Sequence, residues 1–272
     1  MLFVGQYLIP LRRQQAASRD SVSGSGDWRV EKRAAIDDVF AGAKRGDSVS
    51  HESPSGRYRL DVVAWSPSSG WEYTEGIVCA GAVLEPNATV RRNYRAFPFT
   101  WCEDHPSGHD YLLCGEDYQG QTVMELDTGR RADHLPDEAE RGVAFCWAQH
   151  YVSPSKSILI VGGCYWACPY ELVAFDFSQP PGLPYVELHR WSGELVEVDG
   201  FDSDGTPKWT FNREVRLSDS KPCDDLTESE EAGLVDTDGT YRPDTLGVLR
   251  YRASWNADQS FELTTVELVA SD

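Results

Sequence analysis

Short apolar runs separated by turn residues recur along most of the chain. Four of these runs are rich in β-branched, aromatic and leucine residues, at positions 59–65, 111–114, 158–161 and 208–215. Runs of this length and composition are typical of β-strands. One stretch differs, because apolar side chains between Trp28 and Lys44 recur at helical spacing. The pattern therefore predicts a mostly β protein with one amphipathic helix near its N-terminal end.

A recurring turn precedes each of the four predicted strands. The chain reads Ser-Pro-Ser-Gly at 53–56, His-Pro-Ser-Gly at 105–108 and Ser-Pro-Ser-Lys at 153–156, with Asp-Ser-Asp-Gly at 202–205 as a weaker copy. Proline presets the backbone of a tight turn, and glycine suits its end. The copies are spaced by about 50 residues, the length of a propeller blade of four antiparallel strands. A β-sandwich gives no reason for a turn at a fixed interval.

We therefore predict an all-β fold, a β-propeller-like ring of four-stranded antiparallel blades. Four copies and a strand-like tail at 246–269 indicate four or five blades. The propeller-like domain is predicted over 48–272, and an N-terminal strand with a flexible and helical segment is predicted over 1–47. The tail and the strand at 2–8 are expected to pair and close the ring, which would leave no free edge.

The same segments carry a family resemblance. The turns at 53–60 and 105–113 resemble the turn between the first two strands of WD40-like β-propeller blades, and the strand at 123–129 is similar to the third strand of that family. The resemblance covers about residues 48–215. The chain lacks the Trp-Asp dipeptide and the Gly-His start of the family. The resemblance implies a scaffold for binding other molecules.

Charge and composition narrow the function classes. A net charge of −19 disfavours nucleic acid and anionic membranes as partners. No apolar stretch reaches the length of a membrane helix. The seven cysteines are an odd number scattered along the chain, which favours reduced thiols and a cytoplasmic location. An acidic insertion at 218–240, with eight acids between Asp219 and Asp238, is predicted to be a solvated loop.

Candidate ligand-binding residues lie in the connections between predicted strands. In the second and third copies of the repeat the same connection is occupied by acids and aromatic residues, so both should emerge on one face, with acids next to exposed aromatics. Such a surface would suit a small polar, cationic or polyhydroxylated ligand, or a protein. His150 is a further candidate, on a strand expected to face the channel. The candidate set is Glu116, Asp117, Tyr118, His150, Tyr165, Trp166 and Tyr170.

Signals for catalysis or for a metal are sparse. Cys164 and Cys168 have a C-x3-C spacing that matches half of a zinc site, without a second pair at that spacing. No catalytic motif and no cofactor-binding motif was found. The sequence therefore favours a non-catalytic binding module without a cofactor. The alternatives are a carbohydrate-active hydrolase that uses channel carboxylates, and a zinc or thiol-redox protein that uses Cys164 and Cys168.

Overall fold

The structure is a computed structural model, which describes residues 27–68, 70–80, 83–165, 170–192, 194–202, 206–237, 239–242, 245–255 and 261–269. The predicted N-terminal helix is present as α1 (Trp28–Gly42). The Asp27 side chain caps it by accepting a hydrogen bond from the Arg29 backbone, and Ile36 and Phe40 are its buried residues, one helical turn apart. The predicted strand at 2–8 lies outside the described residues, so its pairing with the tail stays a prediction.

Four antiparallel sheets follow α1 in chain order, and the sequence-based fold class is confirmed. The first contains β1 (Lys44–Glu52), β2 (Tyr58–Ser66), β3 (Tyr73–Ala80) and β4 (Val83–Arg92). The second contains β5 (Thr100–Cys102), β6 (Tyr111–Cys114), β7 (Gln121–Glu125) and β8 (Arg130–His134). In both sheets each strand pairs with the next one along the chain, which is the meander of a propeller blade.

The third and fourth sheets repeat this order. The third contains β9 (Cys146–Val152), β10 (Ile158–Cys164), β11 (Tyr170–Asp176) and β12 (Glu187–Ser192). The fourth contains β13 (Glu194–Phe201), β14 (Pro207–Arg216), β16 (Leu246–Trp255) and β17 (Phe261–Val269), with β15 (Lys221–Pro222) paired beside β14. The predicted tail strands are thus the outer half of the fourth sheet, giving four sheets in the described part of the chain.

The repeated turns occupy equivalent positions. Each of the three proline turns joins the first and second strands of its sheet. Each is closed by a backbone hydrogen bond of 2.8 Å from its fourth residue to its first, donated by Gly56, Gly108 and Lys156. These three donors all have positive φ, at 73°, 89° and 58°. Lys156 therefore holds a backbone conformation that favours glycine, which explains why two of the three copies have glycine there. Most of the fourth turn, 203–205, lies outside the described residues.

Consecutive sheets are joined by apolar clusters whose members alternate along the strands. Leu112 packs with the first sheet, while its neighbour Leu113 packs with the third. Likewise Leu159 faces the second sheet and Ile160 faces the fourth. Successive side chains of a strand point to opposite faces, so a central blade buries both of its faces. This is why these strands read as continuous apolar runs.

The acidic stretch 219–238 is more ordered than the predicted loop. Between β14 and β16 the chain forms β15, a 3-10 turn at Cys223–Asp225 and the short helix α2 (Glu228–Ala232). Thr227 and Glu230 form a reciprocal capping box at the start of α2. Glu230 also accepts hydrogen bonds from Lys221 and Arg216, so paired charges organise this segment together with the buried side chain of Leu234.

Candidate functional site

Two strand connections carry most of the candidate ligand-binding residues. Residues 115–120 join β6 to β7, and residues 165–169 join β10 to β11, so they are equivalent connections of the second and third sheets. Both lie at the ends of the strands opposite the proline turns. Trp166 and Cys168 lie outside the described residues, as does the side chain of Tyr170.

Glu116 is used to attach helix α1. Its side chain is only 8% exposed. Arg33 of α1 donates to both of its carboxylate oxygens, from Nε at 2.8 Å and from Nη2 at 2.6 Å. Arg131 of β8 adds a second cation at 3.6 Å. The Glu116 carboxylate is therefore neutralised within the protein.

Asp117 is buried more deeply, at 1% exposure. One carboxylate oxygen accepts from the Asn93 amide at 2.8 Å, and the other accepts from the Gln119 backbone at 2.9 Å. Lys32 of α1 lies 3.5 Å from the carboxylate. Both candidate acids are therefore buried and paired with α1 and the neighbouring loops, and ligand binding by them stays a prediction.

Arg92 fixes the shape of the 115–120 connection. Its guanidinium donates to four backbone carbonyls, those of Ala96 at 3.0 Å, Gly115 at 3.5 Å, Asp117 at 2.6 Å and Tyr118 at 3.3 Å. Burial lowers the pKa of Arg92 to about 10, which still leaves it charged near neutral pH. The charge strengthens each of these hydrogen bonds in the buried surroundings. One side chain at the end of β4 thus holds a loop of the next sheet.

His150 lies next to this region and is partly buried. Both of its ring nitrogens are shielded from solvent and have no hydrogen-bond partner among the described residues. Its ring packs against Trp147 with the centroids 5.6 Å apart. Burial, and secondarily the charge of Arg92, lowers the pKa of His150 to about 3, so the imidazole is neutral near neutral pH. The side chain is therefore an uncharged neighbour of the candidate site near neutral pH.

A cavity of about 370 Å³ opens at this end of the sheets. It gathers side chains from the first, second and third sheets and their connections. Four aromatic residues and two cysteines line it: Trp71, Tyr94, Tyr118, Trp147, Cys146 and Cys164. Arg92 and Arg95 are its charged residues, and no acid is among the described residues that line it. Among the described side chains of the candidate ligand-binding set, Tyr118 is the one that lies on its wall.

Trp71 is the most accessible aromatic residue of the cavity wall. It is 46% exposed, although its indole nitrogen donates to the Asn93 carbonyl at 2.9 Å. Its ring lies 5.9 Å from that of Tyr94. An anchored and exposed ring is a suitable surface for stacking a ligand. The sequence pattern singled out neither residue, because both lie in connections outside the repeated turn.

Tyr165 belongs to a different cavity. It is 39% exposed and accepts a 2.9 Å hydrogen bond from Arg190, which also lies over its ring. With Arg190, Phe145 and Glu138 it lines a cavity of about 230 Å³ between the second and third sheets. The two equivalent connections therefore do not form one continuous ligand site in the described part of the chain. Ligand binding by the candidate set stays a prediction.

Potential metal ligands come together at one place among the described side chains. One group there brings three potential ligands together: His109, Glu125 and Asp127. His109 Nδ1 lies 2.7 Å from Asp127 and 3.7 Å from Glu125, and Arg130 lies 3.8 Å from Glu125. These contacts form an ion-pair cluster that includes its own cations. Cys164 ends β10 as a buried residue, and its predicted zinc partner Cys168 is outside the described residues.

Comparison with known proteins shows the family of this chain but does not show an activity. No family model matches the chain. The chain is 31% identical over 186 residues to uncharacterized protein R762 of Acanthamoeba polyphaga mimivirus, spanning 65% of this chain and 72% of that protein. The chain belongs to the same family as R762.

A solved structure with a similar arrangement is an engineered GH43 glycoside hydrolase that displays endo-xylanase and exo-arabinofuranosidase activity. The match has a TM-score of 0.32 and 13% sequence identity, and it covers 82% of this chain. The chain spans 40% of the length of that enzyme. None of the helices in the described part of the chain is long and apolar enough to cross a membrane.

Proposed function

We propose that this protein is a non-catalytic, propeller-like binding module that holds a small polyhydroxylated ligand in the 370 Å³ cavity. The observation that carries the proposal is the convergence of four aromatic side chains from three sheets on one cavity. Its volume falls within the range of about 300–1,000 Å³ of small-molecule sites, which are mostly apolar with a few polar groups. The rings supply stacking surfaces, and the backbone and guanidinium groups supply hydrogen bonds.

The charge of the cavity wall favours this ligand class over a cationic one. Arg92 and Arg95 carry positive charge there, and the acids expected to attract a cation, Glu116 and Asp117, are paired elsewhere. A neutral or anionic polyhydroxylated molecule meets no such repulsion. The protein-binding alternative requires a larger surface than this concave one.

The carbohydrate-active hydrolase has less support at this cavity. Glycoside hydrolysis by the usual route requires two carboxyl groups flanking the scissile bond. The described residues that line the cavity include no carboxyl group. The aromatic wall would therefore serve binding without a reacting pair of acids.

WD40-like blades and a cytoplasmic location remain part of the proposal. The equivalent closed turns around Gly56, Gly108 and Lys156 support the first, because the turn between the first two strands is the segment that resembles that family. The reduced, scattered cysteines support the second. Fractionation of cells that express the full chain would test the location.

A glycan array followed by titration calorimetry tests the binding proposal. We expect at least one mono- or oligosaccharide to bind, and Trp71→Ala to weaken that binding about tenfold or more, since stacked aromatics dominate such sites. Tyr165→Ala is the matched control, because it removes a similarly exposed ring from the equivalent region of the third sheet, in a different cavity. The control should keep its affinity within about twofold.

Three results would contradict the proposal. A glycan array on which no sugar binds the protein would contradict the proposed class of ligand. Loss of binding in Tyr165→Ala with retention in Trp71→Ala would place the site in the other cavity. Hydrolysis of a bound glycan by the purified protein would show that it is a carbohydrate-active hydrolase and not a non-catalytic binding module.

A further inference from the structure

Two cysteines face each other across neighbouring strands of the third sheet. Cys146 begins β9, Cys164 ends β10, and they are direct partners in the antiparallel register. Directly opposed residues of antiparallel strands have Cα atoms about 4.5–5.5 Å apart and side chains on the same face of the sheet. Disulfides span Cα separations of about 4.4–6.8 Å. The backbone therefore places these two thiols within bonding reach without a change of fold.

The pair is accessible from the ligand cavity. Both cysteines line it, neither is in a disulfide, and the Cys146 thiol donates to the Ala144 carbonyl at 3.5 Å. Cys146 is partly exposed, whereas Cys164 is 8% exposed. Cys146 is therefore the more accessible of the two thiols to a reagent that enters the cavity, and Cys164 is its partner in the strand register.

Other cysteines of the described residues lack this combination. Cys79, Cys102 and Cys114 are buried, and Cys223, which is partly exposed, begins a 3-10 turn outside the long paired strands. Burial raises the pKa of Cys102 to about 11 and that of Cys114 to about 12, which keeps both thiols protonated and unreactive near neutral pH. A reaction that needs both access and a second thiol opposite in the strand register should therefore select the cavity pair.

We propose that Cys146 and Cys164 form a redox-active dithiol that is oxidised to a disulfide by exchange with a small disulfide such as oxidised glutathione. The Cys146 thiolate attacks one sulfur of the small disulfide, which forms a mixed disulfide and releases one thiolate. The Cys164 thiolate then attacks the Cys146 sulfur, which forms the protein disulfide and releases the second. The two protein thiols lose two electrons and two protons, and the small disulfide gains them as two thiols.

This site differs from the alternative pair Cys164 and Cys168, and it does not depend on the ligand of the cavity. Its test uses no glycan, so its failure and the failure of the proposed function are distinguishable. The sequence offers a convenient readout. Trypsin cuts after Arg141, Lys156 and Arg190, so Cys146 falls in the peptide 142–156 while Cys164 and Cys168 share the peptide 157–190.

The experiment treats the reduced, full-length protein with oxidised glutathione, alkylates the remaining thiols and maps the tryptic peptides by mass spectrometry. We expect the peptides 142–156 and 157–190 to be joined by a disulfide. Cys168→Ser should retain the joined peptides, because Cys168 is not the partner. Cys164→Ser should stop at a glutathione adduct on Cys146, because the second exchange step has lost its nucleophile.

Contrary results are equally distinct. A disulfide confined to the peptide 157–190 would assign the chemistry to Cys164 and Cys168. Alkylation of both Cys146 and Cys164, or glutathione adducts without joined peptides in the unmodified protein, would overturn the proposal. The same reaction in denaturant is the control for selectivity, and it should give several pairings, Cys79, Cys102 and Cys114 included.

Discussion

Arg33 and Glu116 join helix α1 to the second sheet by two nearly parallel hydrogen bonds, at 2.8 Å and 2.6 Å. The carboxylate is 8% exposed and the guanidinium 41% exposed, so the pair lies at the edge of the protein interior. The hydrogen bond with Glu116 raises the pKa of Arg33 above its ordinary value. Helix α1 is thus attached to the connection that contains Glu116 and Asp117. The negative charges of these two residues are paired with Arg33 and Lys32 of the helix.

Removal of the Arg33 charge should destabilise the protein. Arg33→Met keeps the apolar stem but leaves Glu116 with the more distant Arg131. We expect the free energy of unfolding to fall by about 1–3 kcal/mol, between the values for exposed and buried pairs. Chemical denaturation with urea would measure it.

A double-mutant cycle provides the control. Arg33→Met combined with Glu116→Gln removes both charges, so the double variant should be more stable than the sum of the two single losses predicts. Strict additivity of the two losses would show that the pair does not couple α1 to the second sheet.

A second set of contacts joins neighbouring turns. The Glu103 side chain is 9% exposed and accepts hydrogen bonds from Ser53 and from the Ser55 backbone, both at 2.9 Å. The adjacent Asp104 side chain is 80% exposed and pairs with Arg57. Glu103→Gln should lower the free energy of unfolding by about 1–3 kcal/mol, because buried donors lose a charged acceptor. Asp104→Asn should cost less than about 1 kcal/mol. Equal losses in thermal unfolding of the two variants would contradict the assignment of Glu103 as the contact between turns.

The repeat made the fold predictable. Turns around Pro54, Pro106 and Pro154 recur at one interval, and each interval has room for four short strands, which fixes the meander order of the sheets. The acidic stretch was harder to predict, since its order comes from the capping box at Thr227 and from ion pairs of Glu230 with Lys221. Composition gives the number of charged residues but does not show which of them form ion pairs.

The candidate site was predictable only in part. The equivalence of the connections that contain Tyr118 and Tyr165 follows from the strand register, and the structure has it. The burial of Glu116 and Asp117 does not follow, because it depends on Arg33 and Lys32 of a helix more than eighty residues earlier in the chain. Contacts over such separations leave no periodic signal in one sequence.

The His109–Asp127 pair predicts a pH dependence of stability. The hydrogen bond to Asp127, supported by the charges of Asp127 and Glu125 and opposed by Arg130, raises the pKa of His109 above its ordinary value of 6.5. A folded-state pKa above the unfolded one stabilises the protein below the unfolded value, and this contribution is lost as pH rises through the folded pKa. His109→Gln should therefore lower the melting temperature more at about pH 5 than at about pH 8.5.

Asp127→Asn serves as the check on this pair, because it removes the principal cause of the raised pKa while leaving the imidazole in place. Asp127→Asn should therefore weaken the same pH dependence of the melting temperature that His109→Gln removes. A melting-temperature difference between His109→Gln and the unmodified protein that stays constant with pH would show that the pair does not hold a proton in the folded state.

Replacement of residues 219–238 by a short Gly/Ser linker should leave a folded and soluble protein. The charged contacts of this segment involve exposed acids, such as Asp219 with Arg216, or the half-buried Glu230, and ion pairs near the surface add little stability. Its largest buried apolar residue is Leu234, at 7% exposure, whose burial is worth about 1.5–3 kcal/mol. Loss of that burial corresponds to a melting temperature lower by roughly 3–12 °C at about 2–4 °C per kcal/mol. Leu234→Ala is the matched control and should account for most of the shift. Insoluble protein after replacement, with Leu234→Ala still soluble, would mean that the segment is an integral part of the fourth sheet.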